Sequence, residues 1–131
     1  MQKPNQELIN KYYTRGIASG EKGEVELAIE DYTEAIALDP KFAEAYYQRG
    51  LAYAKNGELD KAIGDYTTAI ELKPDYADAY YRRSKAWLRL GKQDEAKADM
   101  QTASNIGINS STALDETLRN YARAWKALGN V

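Results

Sequence analysis

Tyr46-Tyr47-Gln48-Arg49-Gly50 decides the fold, because its pattern occurs three times in the chain, the third time more loosely. Thirty-four residues upstream stands Tyr12-Tyr13-Thr14-Arg15-Gly16, and thirty-four downstream stands Tyr80-Tyr81-Arg82-Arg83-Ser84. Working outward, a second block keeps the same period. Ala28-Ile29-Glu30-Asp31-Tyr32 returns as Ala62-Ile63-Gly64-Asp65-Tyr66 and then as Ala96-Lys97-Ala98-Asp99-Met100. A fixed period of this length predicts stacked helical hairpins instead of a single globular core. In the central unit, Ala45, Tyr46, Arg49, Gly50 and Tyr53 fall at helical spacing until Asn56-Gly57 breaks the pattern. Leu59, Ala62, Ile63, Tyr66, Ala69 and Ile70 then share one face of a second helix. Lys73-Pro74 ends it, since the residue before a proline is pushed out of the helical region. The first unit turns at Lys22-Gly23 and Asp39-Pro40. The third turns at Leu90-Gly91 and runs out through Ile106-Gly107-Ile108-Asn109-Ser110 without a proline.

The predicted organisation is a lead-in over residues 1–8, repeats over 9–42, 43–76 and 77–110, and a last helix over 111–131. The last helix carries Leu114, Leu118, Tyr121, Trp125 and Leu128 on one face, with Glu116, Arg119, Arg123 and Lys126 facing away. Thr112 with Asp115 fits a capping box. Such a helix reads as a solvating cap on the last repeat, and the other reading is a helix that docks on a second molecule.

Composition excludes several function classes. Eighteen basic and twenty acidic residues are interspersed, for a net charge of −2, so the basic footprint of nucleic-acid binding is missing. The chain has no cysteine and no histidine, which removes disulfides, thiolate chemistry, Ser-His-Asp catalysis and His- or Cys-ligated metals. No apolar run approaches membrane-spanning length, and the first residues lack the apolar stretch of a signal peptide. The expectation is a soluble, cytoplasmic or otherwise intracellular protein with no cofactor and no metal. Asn109-Ser110-Ser111 matches a glycosylation triplet that arises readily by chance.

The repeated residues resemble the tetratricopeptide repeat over nearly the whole chain. That family's first helix carries an aromatic, a small residue and another aromatic, matched here by Tyr46, Gly50, Tyr53 and by Tyr80, Ser84, Trp87. Unit one has Tyr12, Gly16 and Ser19. The second helix carries alanine, aromatic, alanine: Ala28, Tyr32, Ala35, then Ala62, Tyr66, Ala69, then Ala96, Met100, Ala103. Pro40 and Pro74 match the closing proline, while Ser19, Met100 and the absent third proline depart from the pattern. The resemblance implies an all-α fold, a right-handed α-solenoid of three helix-turn-helix hairpins plus the C-terminal capping helix. The small residues would let paired helices approach, and the recurring Arg15, Arg49, Arg83 and Asp31, Asp65, Asp99 would form a ladder of ion pairs or remain independently solvated.

In that fold the first helix of each hairpin lines a concave groove. Projection of each first helix puts Asn10, Tyr13, Thr14, Ile17 and Gly20 there from unit one, Glu44, Tyr47, Gln48, Leu51, Ala54 and Lys55 from unit two, and Asp78, Tyr81, Arg82, Lys85, Leu88 and Arg89 from unit three. The predicted ligand is an extended peptide or partner segment, held by an exposed tyrosine row and an apolar patch, with an acidic group reaching Arg82 and Lys85. The alternative for the tyrosines is a scaffold role. No convergent acid, base and nucleophile can be assembled, so the expected function is non-catalytic protein binding. Self-association into homo-oligomers is the alternative. Co-chaperone members of the family clamp a chaperone's terminal carboxylate with lysines, asparagines and an arginine. Tyr13, Ile17, Gln48, Asp78 and Arg82 stand at those slots, and only Arg82 agrees, which argues against that clamp.

Overall fold

A computed structural model describes residues 4–108 and residue 123. Six helices follow one another: α1 (Pro4–Glu21), α2 (Val25–Leu38), α3 (Ala43–Lys55), α4 (Leu59–Leu72), α5 (Ala77–Arg89) and α6 (Gln93–Ile108). The described residues contain no strand. The fold is an all-α helical repeat. α1 starts at Pro4, so the first helix extends into the segment ahead of Ile9. The expected capping helix lies outside the described residues, apart from Arg123, which is helical and exposed.

The chain divides into two compact units, residues 1–73 and 74–131. In the first unit α1 packs on α2, α3 packs on α4, and α2 packs in turn on α3, with a smaller contact between α1 and α3. In the second unit α5 packs on α6.

Each hairpin reverses through the same three-residue turn. Gly23, Gly57 and Gly91 sit at φ of 78°, 78° and 77°, a region that costs glycine nothing because it has no Cβ. The amide of Glu24 donates to the Ser19 carbonyl and that of Gly23 to Gly20, which closes the end of α1 as a Schellman motif. Glu58 to Tyr53 and Lys92 to Trp87 repeat the bond in the later hairpins, each at 2.9 Å. Between hairpins, Asp39 and Lys73 take extended backbone immediately before Pro40 and Pro74, as a residue before proline must.

The core is built on close approach. A Cβ added to Gly16 would lie 2.5 Å from the Tyr32 ring, and one added to Gly50 would lie 2.6 Å from the Tyr66 ring. Tyr32 and Tyr66 are 3% and 1% exposed, so each ring fills the space its partner glycine leaves. In the third hairpin the same two slots hold Ser84 and Met100, both nearly fully buried. Where the small residue gains a side chain, the rigid ring gives way to an unbranched, adaptable one. Ala28, Ala35, Ala45, Ala62, Ala69, Ala79, Ala96 and Ala103 are fully buried and let backbones lie near each other.

The expected ladder of ion pairs is present. Arg15 Nη2 lies 2.8 Å from Asp31 Oδ1, Arg49 Nε 2.8 Å from Asp65 Oδ2, and Arg83 Nε 2.6 Å from Asp99 Oδ2. Each guanidinium donates two nitrogens to one carboxylate and ties the two helices of its own hairpin. The hydrogen bond to the aspartate is the main reason that all three arginines hold their proton above the ordinary arginine range. Arg49 also donates to Thr33 Oγ1 at 3.2 Å, which links the second hairpin to the first. Aromatic rings complete each guanidinium's surroundings: Tyr12 for Arg15, Tyr46 and Tyr53 for Arg49, and Tyr80 for Arg83.

Two glycines in the second hairpin separate packing from propensity. Gly50→Ala drives a methyl into the Tyr66 ring and is expected to cost about 1–3 kcal/mol in urea unfolding. Gly64 has no heavy atom within 4 Å of a built Cβ, so Gly64→Ala is expected to stabilise by about 0.5–1 kcal/mol in the same measurement.

The ladder yields a rank order. The Arg49 side chain is 18% exposed and the Arg15 side chain 54%. Arg49→Ala strands the buried Asp65 and should cost about 1.5–3 kcal/mol. Arg15→Ala should cost less, because water already competes for the Arg15 guanidinium and Arg15 lacks the additional bond that Arg49 makes to Thr33, although Asp31 is as buried as Asp65. Equal losses in urea titrations of the two variants would contradict this account.

Candidate functional site

Of the first-unit side chains expected in the groove, Ile17, Gln48 and Leu51 line one cleft, and Tyr13 is hydrogen-bonded with the Gln48 side chain. Thr14 is exposed, and Tyr13, Ile17, Gln48 and Leu51 are half-buried. Tyr47 differs from expectation: at 7% exposure it belongs to the core, not to an exposed tyrosine row. Its ring centroid stands 6.0 Å from that of Tyr66. Tyr46 and Tyr47 lie four and three residues before Gly50, so spacing alone does not separate them, and the packing of α3 on α4 is what brings Tyr47 to the Tyr66 ring. Tyr13 repeats the arrangement with Tyr32 at 6.0 Å and adds Phe42 at 4.7 Å. Tyr46, its neighbour in the quoted motif, is half-buried, and its hydroxyl donates to the Pro40 carbonyl at 3.0 Å.

Between the first hairpin and α3 lies an open cleft of about 250 Å³. α1 supplies Ile17, Gly20 and Glu21, and α2 supplies Val25, Ala28 and Tyr32. Gln48, Leu51, Ala52 and Lys55 of α3 close the far side. Projection from the first helices found Ile17, Gly20, Gln48, Leu51 and Lys55. It could not find Val25, Ala28 or Tyr32, which belong to the second helix and reach the cleft only because α2 packs on α3.

The polar groups of this face are tuned by burial. The Tyr13 hydroxyl is held above the ordinary tyrosine range, chiefly by burial and then by the Glu44 charge, while a hydrogen bond with the Gln48 side chain pulls the other way. Tyr32 is pushed up to about 12 by burial first, with Tyr13, Asp31 and Glu21 adding to it. Glu44 also faces Lys73 at 3.7 Å.

In the second unit, Tyr81 and Arg82 are half-buried on α5 and Lys85 is exposed. The Arg82 guanidinium stands 5.4 Å and the Lys85 ammonium 5.6 Å from the Tyr81 ring centroid. The ring therefore gathers two cations beside it. Among the described residues, no group of three or more His, Cys, Asp or Glu side chains is placed to hold a metal ion. No described helix is long and apolar enough to cross a membrane.

Comparison with known proteins agrees with the geometry. Profiles of the tetratricopeptide repeat match residues 43–76 and 60–103, and a TPR repeat profile matches residues 21–57. The chain belongs to the tetratricopeptide-repeat family. Among solved structures, the second TPR of Spaghetti (RPAP3) bound to the HSP90 peptide SRMEEVD is 37% identical. That match covers 76% of this chain and 92% of the other, with a TM-score of 0.73. The second TPR domain of human RPAP3, in complex with the HSP70 peptide SGPTIEEVD, is 31% identical over 90% of this chain and 97% of the other, at a TM-score of 0.77. MamA is 36% identical over 77% of this chain at a TM-score of 0.75, and the match spans 59% of MamA. No curated protein matches the chain in the sequence search.

The raised Tyr32 hydroxyl has a consequence for stability. A group with its folded pKa above its unfolded value of about 10 contributes stability that is complete below that value. The contribution is lost as pH rises through the folded value, about 12 for Tyr32. Denaturant midpoints are expected to fall between about pH 10 and about pH 12, and Tyr32→Phe should reduce that fall.

Proposed function

We propose that this chain is a non-catalytic interaction scaffold that holds an extended peptide or partner segment against the first-helix faces of its hairpins. The observation that carries the reading is the α1–α3 face. It joins an open cleft of about 250 Å³ to half-buried apolar and amide side chains, without a convergent acid, base and nucleophile. Two relatives above 30% identity are solved with peptides, SRMEEVD and SGPTIEEVD. Both support a peptide as the class of ligand.

In this reading Ile17 and Leu51 give apolar contact, Tyr13, Thr14 and Gln48 give hydrogen bonds, and Tyr47 supports the floor from within the core. On α5 the basic group of Arg82 and Lys85 around Tyr81 attracts an acidic side chain or carboxylate. Such a surface binds by shape and a few polar contacts, and its family places it among interaction domains.

The test uses a displayed library of random heptapeptides. Selected peptides are expected to shift the backbone amide resonances of α1 and α3. The double variant Ile17→Ser, Leu51→Ser should weaken their binding about tenfold or more, at an unchanged helical circular dichroism spectrum. Selected peptides that bind the double variant as well as the original chain would remove this site. Sedimentation across a concentration range separates the alternative, since homo-assembly requires a mass that rises with concentration.

A further inference from the structure

The cleft in the first unit has a definite origin. The thirty-four-residue register aligns Gly20 with Ala54 and Leu88. A Cβ built on Gly20 meets only the Tyr32 hydroxyl, at 3.8 Å, which is ordinary contact. The space in front of Gly20 is therefore open because this slot lacks a side chain, and the corresponding slot of α5 holds a half-buried leucine. Ile17, Val25 and Leu51 surround that space with apolar surface.

Its size selects the occupant. A cavity of 150 Å³ lined by apolar side chains accepts benzene, whereas sites for drug-sized ligands start near 300 Å³. At about 250 Å³ and open to solvent, the cleft suits one large side chain and little more. The rim adds charge. Glu21 on α1 and Lys55 on α3 are both exposed, and neither forms an ion pair among the described residues.

We propose that this cleft is a one-side-chain specificity pocket, created by Gly20, that takes a leucine or aromatic anchor from a partner peptide. Charge complementarity with the rim sets the neighbours of that anchor: an acidic residue toward Lys55 and a basic residue toward Glu21. The inference rests on the peptide-binding reading of this face and names the chemistry that it selects.

The probe is a set of blocked pentapeptides, acetyl-Gly-Lys-X-Asp-Gly-amide, with X as glycine, alanine, leucine or phenylalanine. Dissociation constants come from amide shifts of Gln48, Leu51 and Lys55. Leucine and phenylalanine are expected to bind about tenfold more tightly than glycine. Gly20→Leu, which places the α5 residue in this slot, should bring that advantage below about twofold, while Gly20→Ala should preserve most of it. Lys55→Glu should weaken the leucine peptide by about two- to fivefold, the range of an exposed ion pair. Should Gly20→Leu lower the melting temperature, Leu51→Ala supplies the second reading: a wider cleft should shift preference from leucine toward tryptophan at X.

An anchor preference that survives Gly20→Leu in the folded protein overturns the pocket, as does binding indifferent to X. Amide shifts at Gln48 and Leu51 that appear on concentrating the protein alone assign the cleft to a second copy, and also overturn it. Library-selected peptides that still bind α1 and α3 in Gly20→Leu remove the pocket but leave the scaffold reading standing.

Discussion

Everything in this fold depends on how closely the two helices of a hairpin can lie. Gly16 and Gly50 have no Cβ, and the rings of Tyr32 and Tyr66 occupy the place where one would stand. The glycine admits the ring, and the ring excludes water from the space between the helices. Ser84 and Met100 solve the same problem with different volumes, a slightly larger small residue facing a more compliant large one. Close packing of this kind leaves little tolerance for one methyl, since interiors are packed nearly as densely as organic crystals.

Register comes from a second device. The arginine and aspartate of each hairpin stand sixteen residues apart and meet across the helix pair through a two-nitrogen hydrogen bond to one carboxylate. A planar fork meeting a planar carboxylate has a narrow geometry, so sliding one helix along the other breaks it. The stability gained is modest in water. Its value lies in holding the apolar pairs opposite each other. In the second hairpin the arginine also reaches Thr33 of the hairpin before it, which couples orientation within a hairpin to stacking between hairpins.

These constraints leave one face of α1 and α3 relatively free, and that face differs from hairpin to hairpin. The repeated slots are spent on packing, while the slots between them carry Thr14, Ile17, Gly20, Gln48, Leu51 and Lys55. A scaffold that repeats its core and varies its surface can hold different partners without refolding. The cleft illustrates how little is needed: one missing side chain on α1 opens space that the corresponding leucine of α5 would reduce.

The sequence by itself determined the helices, the turns and the hairpin pairing. Each depends on local chemistry: Gly23, Gly57 and Gly91 at positive φ, the residues before Pro40 and Pro74, and small and large residues repeating in one register. The partners of the arginine ladder were also legible, because equal spacing in three hairpins leaves few other pairings. Tertiary structure alone decided which tyrosine of the central pair goes inside. Tyr46 and Tyr47 are adjacent and chemically identical, and only the direction in which α3 meets α4 buries Tyr47 and leaves Tyr46 to the Pro40 carbonyl. It alone also decided the cleft, because a cavity is a volume left over between elements. Val25 of α2 and Leu51 of α3 are distant in sequence, and no local periodicity records that helix packing brings them to the same space.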